Sequence, residues 1–132
     1  MYLSSLSKNE KKLFLQACLH VSCADGNFSH DEKTVIKQLC QEMEIPVSFE
    51  QTMSFDNVID ELSLSNNQRN KRIFIFELAG VVMADNVCED SEKEMMYKIA
   101  EKLNINTDFV DEAIDKITRL INFYQEIGDF IS

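Results

Sequence analysis

One ten-residue segment of this chain occurs twice, and that duplication restricts the fold more than any other feature. Ala24-Asp25-Gly26-Asn27-Phe28-Ser29-His30-Asp31-Glu32-Lys33 aligns with Ala84-Asp85-Asn86-Val87-Cys88-Glu89-Asp90-Ser91-Glu92-Lys93 at a constant offset of 60. The register then continues without a gap: Leu39 meets Ile99, Met43 meets Leu103, and Ile45 meets Ile105. Two units that recur with their apolar stripes in register can bury those stripes against one another. The expectation is an all-α bundle with an internal pseudo-repeat of two helix-loop-helix units.

The flanking patterns are helical. Leu13, Phe14, Ala17, Cys18, Val21 and Ala24 recur at 3.6-residue spacing behind a capping box, Ser7 with Glu10. Val35, Ile36, Leu39, Cys40 and Met43 follow a second box, Ser29 with Glu32, and the run stops before Pro46. Two short connectors come next, one opened by Ser48 with Gln51 and one capped by Ser54 that carries Phe55, Val58, Ile59 and Leu62. Ser65 with Gln68 opens a helix that is apolar nearly all round from Ile73 to Ala84, the pattern of a central helix. Glu77, alone in that stretch, is expected at the seam where the helix meets solvent. A stripe from Met95 to Leu103 and a long final helix from Val110 to Tyr124 complete the reading, and the apolar tail Phe123, Tyr124, Ile127, Phe130 and Ile131 is expected to pack back onto the bundle, with a partner-binding patch as the alternative.

Composition agrees with a single domain over residues 1–132. Three glycines and one proline are too few for the turns of a small all-β protein. The net charge of -10 repels phosphate backbones and anionic lipid, which argues against nucleic-acid binding and points to cationic partners or metal ions. The stretch Ile73 to Ala84 is too short to cross a bilayer, so no membrane insertion is expected. Met1 to Asn9 does not read as a secretory signal, which favours a cytoplasmic location. Cys18, Cys23, Cys40 and Cys88 form no Cys-x-x-Cys pair and read as small buried apolar residues. The oligomeric state is not written in any local pattern.

Much of the duplicated loop is punctuation. Gly26 and Asn86 suit the left-handed turn that ends a helix, and acidic residues in the next first turn complement the helix dipole. Asp25 and Asp85 are different, because a carboxylate in a last turn faces the negative end of that dipole. Each stands seven residues before a glutamate, Glu32 or Glu92, across a tight loop. Converging carboxylates of this kind suit calcium, magnesium or manganese; His30 adds affinity for zinc, and Asp31, Glu89 and Asp90 are additional donors. The loop is not an EF-hand: counted from Asp25, the sixth position is His30 and the twelfth is Ile36.

Ala24-Asp25-Gly26 with Ser29 and Glu32, repeated as Ala84-Asp85 with Glu92 on a helical background, resembles the TerB-like family. That family takes its name from a tellurite-resistance protein and is also similar to the N-terminal region of certain membrane-anchored DnaJ co-chaperones. The resemblance spans Lys8 to Ile121. It implies a compact bundle of about seven helices, acidic residues facing each other from the two loops, divalent metal binding, and a role in stress-linked assemblies without established catalysis. Asn86 departs from the pattern where a second glycine would stand. No His-Pro-Asp triplet is present, so no J-domain activity carries over.

Catalytic signatures are absent: there is no Gly-x-Ser-x-Gly, P-loop, His-Glu-x-x-His or Glu-x-x-His. The function expected is a non-catalytic protein-interaction module in which Asp25, Glu32, Asp85 and Glu92 either hold a divalent ion or serve as a solvated acidic face and as hydrogen bonds and salt bridges that tie the halves together. The alternative is a metal-dependent hydrolase in which an ion on the same carboxylates activates water. Arg69, Lys71 and Arg72, at the unfavourable positive end of a helix, read as a plain solvated face, with an acidic partner or ligand as the alternative.

Overall fold

The computed structural model describes residues 1–24, 28–84 and 88–132. A 3-10 turn at Leu3–Ser5 precedes six helices: α1 (Lys8–Ser22), α2 (His30–Met43), α3 (Phe55–Ser63), α4 (Gln68–Val82), α5 (Asp90–Lys102) and α6 (Asp108–Ile131). No strand occurs among the described residues. The all-helical expectation holds, with six helices in place of about seven.

The missing helix is the first connector. Residues 45–52 run without helical structure, and Ser48 Oγ accepts from the Glu50 amide in a local turn. The backbone there is paired by α1 instead. Gln16, 7% exposed, donates Nε2 to the Glu50 carbonyl at 3.1 Å and accepts from the Thr52 amide at 2.9 Å. His20 Nε2 lies 2.7 Å from the Met53 carbonyl. A side-chain amide can satisfy one carbonyl and one N–H together, so this segment pairs its polar groups without coiling. Ser54 then caps α3 through the Asn57 amide, as its sequence suggests.

α1 and α4 form the centre together. Each buries nine residues; α1 packs on α2, α3, α4 and α5, and α4 packs on α1, α2, α5 and α6. The single central helix expected at α4 is therefore half of a pair. Lys8 and Ser22 bound α1 where Gln68 and Val82 bound α4, each 60 residues on. Positions related by that offset touch. Phe14 meets Phe74 edge-on, with centroids 5.1 Å apart, and Asn70 Nδ2 donates to Glu10 Oε1 at 3.0 Å. Contacts at two matching levels one turn apart require the helices to run in the same direction. Ala24 and Ala84 consequently lie toward the same end of the bundle.

The helix ends repeat in the same way. Glu44 and Asn104 both take the left-handed conformation, at φ 58° and 57°. The next amide returns to the preceding helix at each, from Ile45 to Cys40 at 3.0 Å and from Ile105 to Ala100 at 2.9 Å. Both capping boxes at α1 and α2 form. The box expected at Ser65 does not: Asn67 caps α4 through the Asn70 amide, while Ser65 Oγ accepts from the Asn67 amide and donates to Glu10 Oε2. Glu77 is 7% exposed and paired: its Oε1 accepts from the Tyr2 amide at 2.7 Å and lies 3.0 Å from the Met1 ammonium, which also contacts Glu42.

Only two of the four cysteines are fully buried, Cys18 and Cys40; Cys23 and Cys88 are half-buried. Burial holds the Cys18 thiol well above its ordinary range and raises that of Cys40. Burial, then the Glu92 carboxylate, pushes Cys88 up from 9.0 to about 11. The thiolate is the reactive form, so a two-unit rise cuts its population roughly a hundredfold near neutral pH. In native protein, Cys18 and Cys40 are expected to resist a thiol reagent until unfolding, and Cys88 to react far more slowly than a free thiol. Mass mapping of the modified chain against time checks this, and early labelling of Cys18 would contradict it.

Candidate metal site at the duplicated acidic loops

Both loops leave a helix of the central pair and enter a capped helix. At the first, Ser29 Oγ accepts from the Glu32 amide at 3.0 Å, and Glu32 Oε1 accepts from the Ser29 amide at 3.2 Å. At the second, Glu92 Oε1 accepts from the Glu89 amide at 3.1 Å. The local cause is the third position of each helix, from which a glutamate reaches back to the amide before the first turn.

These two glutamates are buried, Glu32 at 4% and Glu92 at 3% exposure. Capping boxes normally sit at the surface, as the exposed Ser7–Glu10 pair does. At Glu32 the second oxygen, Oε2, is buried and has no hydrogen-bond partner among the described residues. Leaving a buried acceptor unmatched costs roughly 1–3 kcal/mol, more for a charged group. A cation beside Oε2 would offset that cost, and a carboxylate oxygen is the donor that calcium, magnesium and manganese prefer. Glu32 thus offers one donor oxygen of the kind these ions take.

The other expected ligands divide. Asp25 and Asp85 lie outside the described residues, together with residues 26, 27, 86 and 87. His30, Asp31, Glu89 and Asp90 are all exposed, in the first turns of α2 and α5 or just before them. Among the described residues, no group of three or more His, Cys, Asp or Glu side chains stands close enough to hold an ion. Any complete ligand set would therefore include residues beyond them.

Several polar positions escaped the sequence reading. The Gln16 clamp could have been suspected, because a glutamine between Leu15 and Ala17 interrupts an apolar face. The basic trio is divided by the fold: Lys71 is buried, while Arg69 and Arg72 are exposed and join Lys116 of α6 around an open cleft. No local pattern announces that cleft, since three separate elements supply its walls.

Residues 2–48 match the family model of the tellurite resistance protein TerB. The match covers the 3-10 turn, α1, the first acidic loop and α2, and ends before α3. No curated protein and no solved structure matches the chain. No described helix is long and apolar enough to cross a membrane.

Proposed function

Taking as premise a chain whose residues 2–48 are TerB-like, we propose that it is a non-catalytic interaction module that holds a divalent cation between its two acidic loops. Asp25, Glu32, Asp85 and Glu92 supply the ligands, and the module serves a stress-linked assembly of the cytoplasm by binding other proteins. The observation that carries this reading is the buried Oε2 of Glu32, unmatched among the described residues. The two helix-loop-helix units act as a pseudo-repeat. Its support is the contact of Phe14 with Phe74 and of Glu10 with Asn70, pairs related by the offset of 60. Parallel central helices bring Ala24 and Ala84 toward one end, and a shared ion between the two halves requires that.

Calorimetric titration of chelator-treated protein with calcium, magnesium, manganese and zinc in turn tests the site. One ion is expected to bind the wild type, and Glu32→Gln, which keeps the shape but removes the charge, is expected to weaken it at least tenfold. Binding that is unchanged in Glu32→Gln, or no binding of any ion, would count against the proposal. The hydrolase alternative predicts phosphoesterase turnover with manganese or magnesium that an Asp25→Asn, Asp85→Asn variant lacks. Equal background from both proteins is the outcome expected here.

A further inference from the structure

Two surfaces among the described residues complement each other and are used by neither the core nor the acidic loops. The first is the cleft, of about 430 Å³, floored by Ile73, Phe76 and Phe109 with Tyr2 at its side and rimmed by Arg69, Arg72 and Lys116. No carboxylate lines it. Its cations form no salt bridge among the described residues; Arg69 lies over the Tyr2 ring at 5.9 Å. On a chain of net charge -10, three such cations around an apolar floor single out an acidic, apolar occupant.

The second surface is the end of α6. α4, at 15 residues, is about 22 Å long, whereas α6, at 24, is about 36 Å long. The excess overhangs the bundle, and the last buried residue of α6 is Ile117. Phe123, Ile127 and Phe130 recur at helical spacing on the overhang, 57%, 40% and 88% exposed, with Glu126 and Asp129 between them. The tail expected to pack onto its own bundle is thus unpartnered there. It cannot turn back to its own cleft, because Lys116 and Phe130 are fourteen residues apart on one continuous helix, roughly 21 Å.

We propose that the end of α6 from a second copy of this chain docks in the cleft, joining copies head to tail. Phe130 and Ile127 of one copy cover Ile73, Phe76 and Phe109 of the next, and Glu126 and Asp129 meet Arg69, Arg72 and Lys116. Each partner offers what the other lacks in both polarity and charge. Because the contact joins two different patches, it is heterologous and continues into rings or longer chains.

The test uses the full chain and two surface variants, Arg69→Glu with Arg72→Glu in the cleft and Ile127→Glu with Phe130→Glu on α6. Circular dichroism melts establish that both fold. Sedimentation equilibrium of the wild type, from micromolar to millimolar concentration, is expected to show an average mass rising to twice that of one chain and beyond, and less so in high salt. Each variant alone is expected to stay at the mass of one chain. An equimolar mixture keeps one intact cleft facing one intact tail, so it is expected to reach twice that mass and stop. A monomeric wild type would overturn the proposal and leave both surfaces to other proteins. A cleft variant that still self-associates would overturn it in favour of tail pairing with tail, and a mixture that stays monomeric would overturn it as well.

Discussion

Phe74→Ala is expected to lower folding stability by about 3–5 kcal/mol, the usual cost of removing a buried aromatic ring. Phe74 is 1% exposed and Phe14 is 0% exposed, and their rings meet edge-on between the two central helices. Truncation there loses the transfer energy of the ring and leaves a cavity flanked by two helices that cannot easily close it. At roughly 4 °C per kcal/mol for a domain of this size, the melting midpoint should fall by some 12–20 °C. The double variant Phe14→Ala, Phe74→Ala should cost less than the sum of the singles, because the second truncation enlarges a void that already exists. Thermal and urea melts of the four proteins measure both quantities. A loss under 1 kcal/mol from Phe74→Ala, or strict additivity, would mean that the two rings do not share a seam.

Gln16→Ala is the second large effect, expected at about 2–4 kcal/mol. The substitution removes two hydrogen bonds and leaves the Glu50 carbonyl and the Thr52 amide without their partner. Each unmatched, partly buried backbone group costs roughly 1–3 kcal/mol, offset in part by water that reaches the segment. The damage should also be local. Hydrogen exchange is expected to accelerate at Thr52 and its neighbours more than at the core amides of α1, and a uniform acceleration would contradict the clamp. Glu50→Ala serves as the control, since its backbone carbonyl remains and the predicted change is within ~0.5 kcal/mol.

The contrast between these two sites separates what could be read in the chain from what could not. The stripe containing Phe14 and the stripe containing Phe74 are local patterns, and so are the boxes at Ser7 and Ser29; each is decided within one or two helical turns. Their pairing is not local: the α4 stripe reads as that of a single central helix, and only the contact of Phe14 with Phe74 shows α1 sharing the centre. Where two residues compete for one role, local pattern is not enough: Ser65 and Asn67 can both cap α4, and Asn67 does so because Ser65 is occupied with Glu10. The Ser48–Gln51 connector reads as a helical turn only until Gln16 is seen to satisfy its backbone from another element. The tail reads either way for a related reason. A stripe that will be buried and a stripe that overhangs look alike in sequence, and only the lengths of α4 and α6 tell them apart. At the candidate site, Glu32 was legible as a capping residue and Glu92 only as an acidic residue after the second loop; the burial of the two was not legible, because neighbouring helices exclude the solvent.

Cation binding at the duplicated loops is tested most directly by thermal melts of chelator-treated protein with and without calcium, magnesium, manganese and zinc, run beside the Asp25→Asn, Asp85→Asn variant. An ion at about a hundred times its dissociation constant adds roughly 2.7 kcal/mol to the folded state, which raises the midpoint by several degrees. One of the four ions should produce that rise in the wild type and leave the variant where it was. If none of them moves the wild-type midpoint, or if the variant rises equally, the carboxylates of the two loops do not hold a metal.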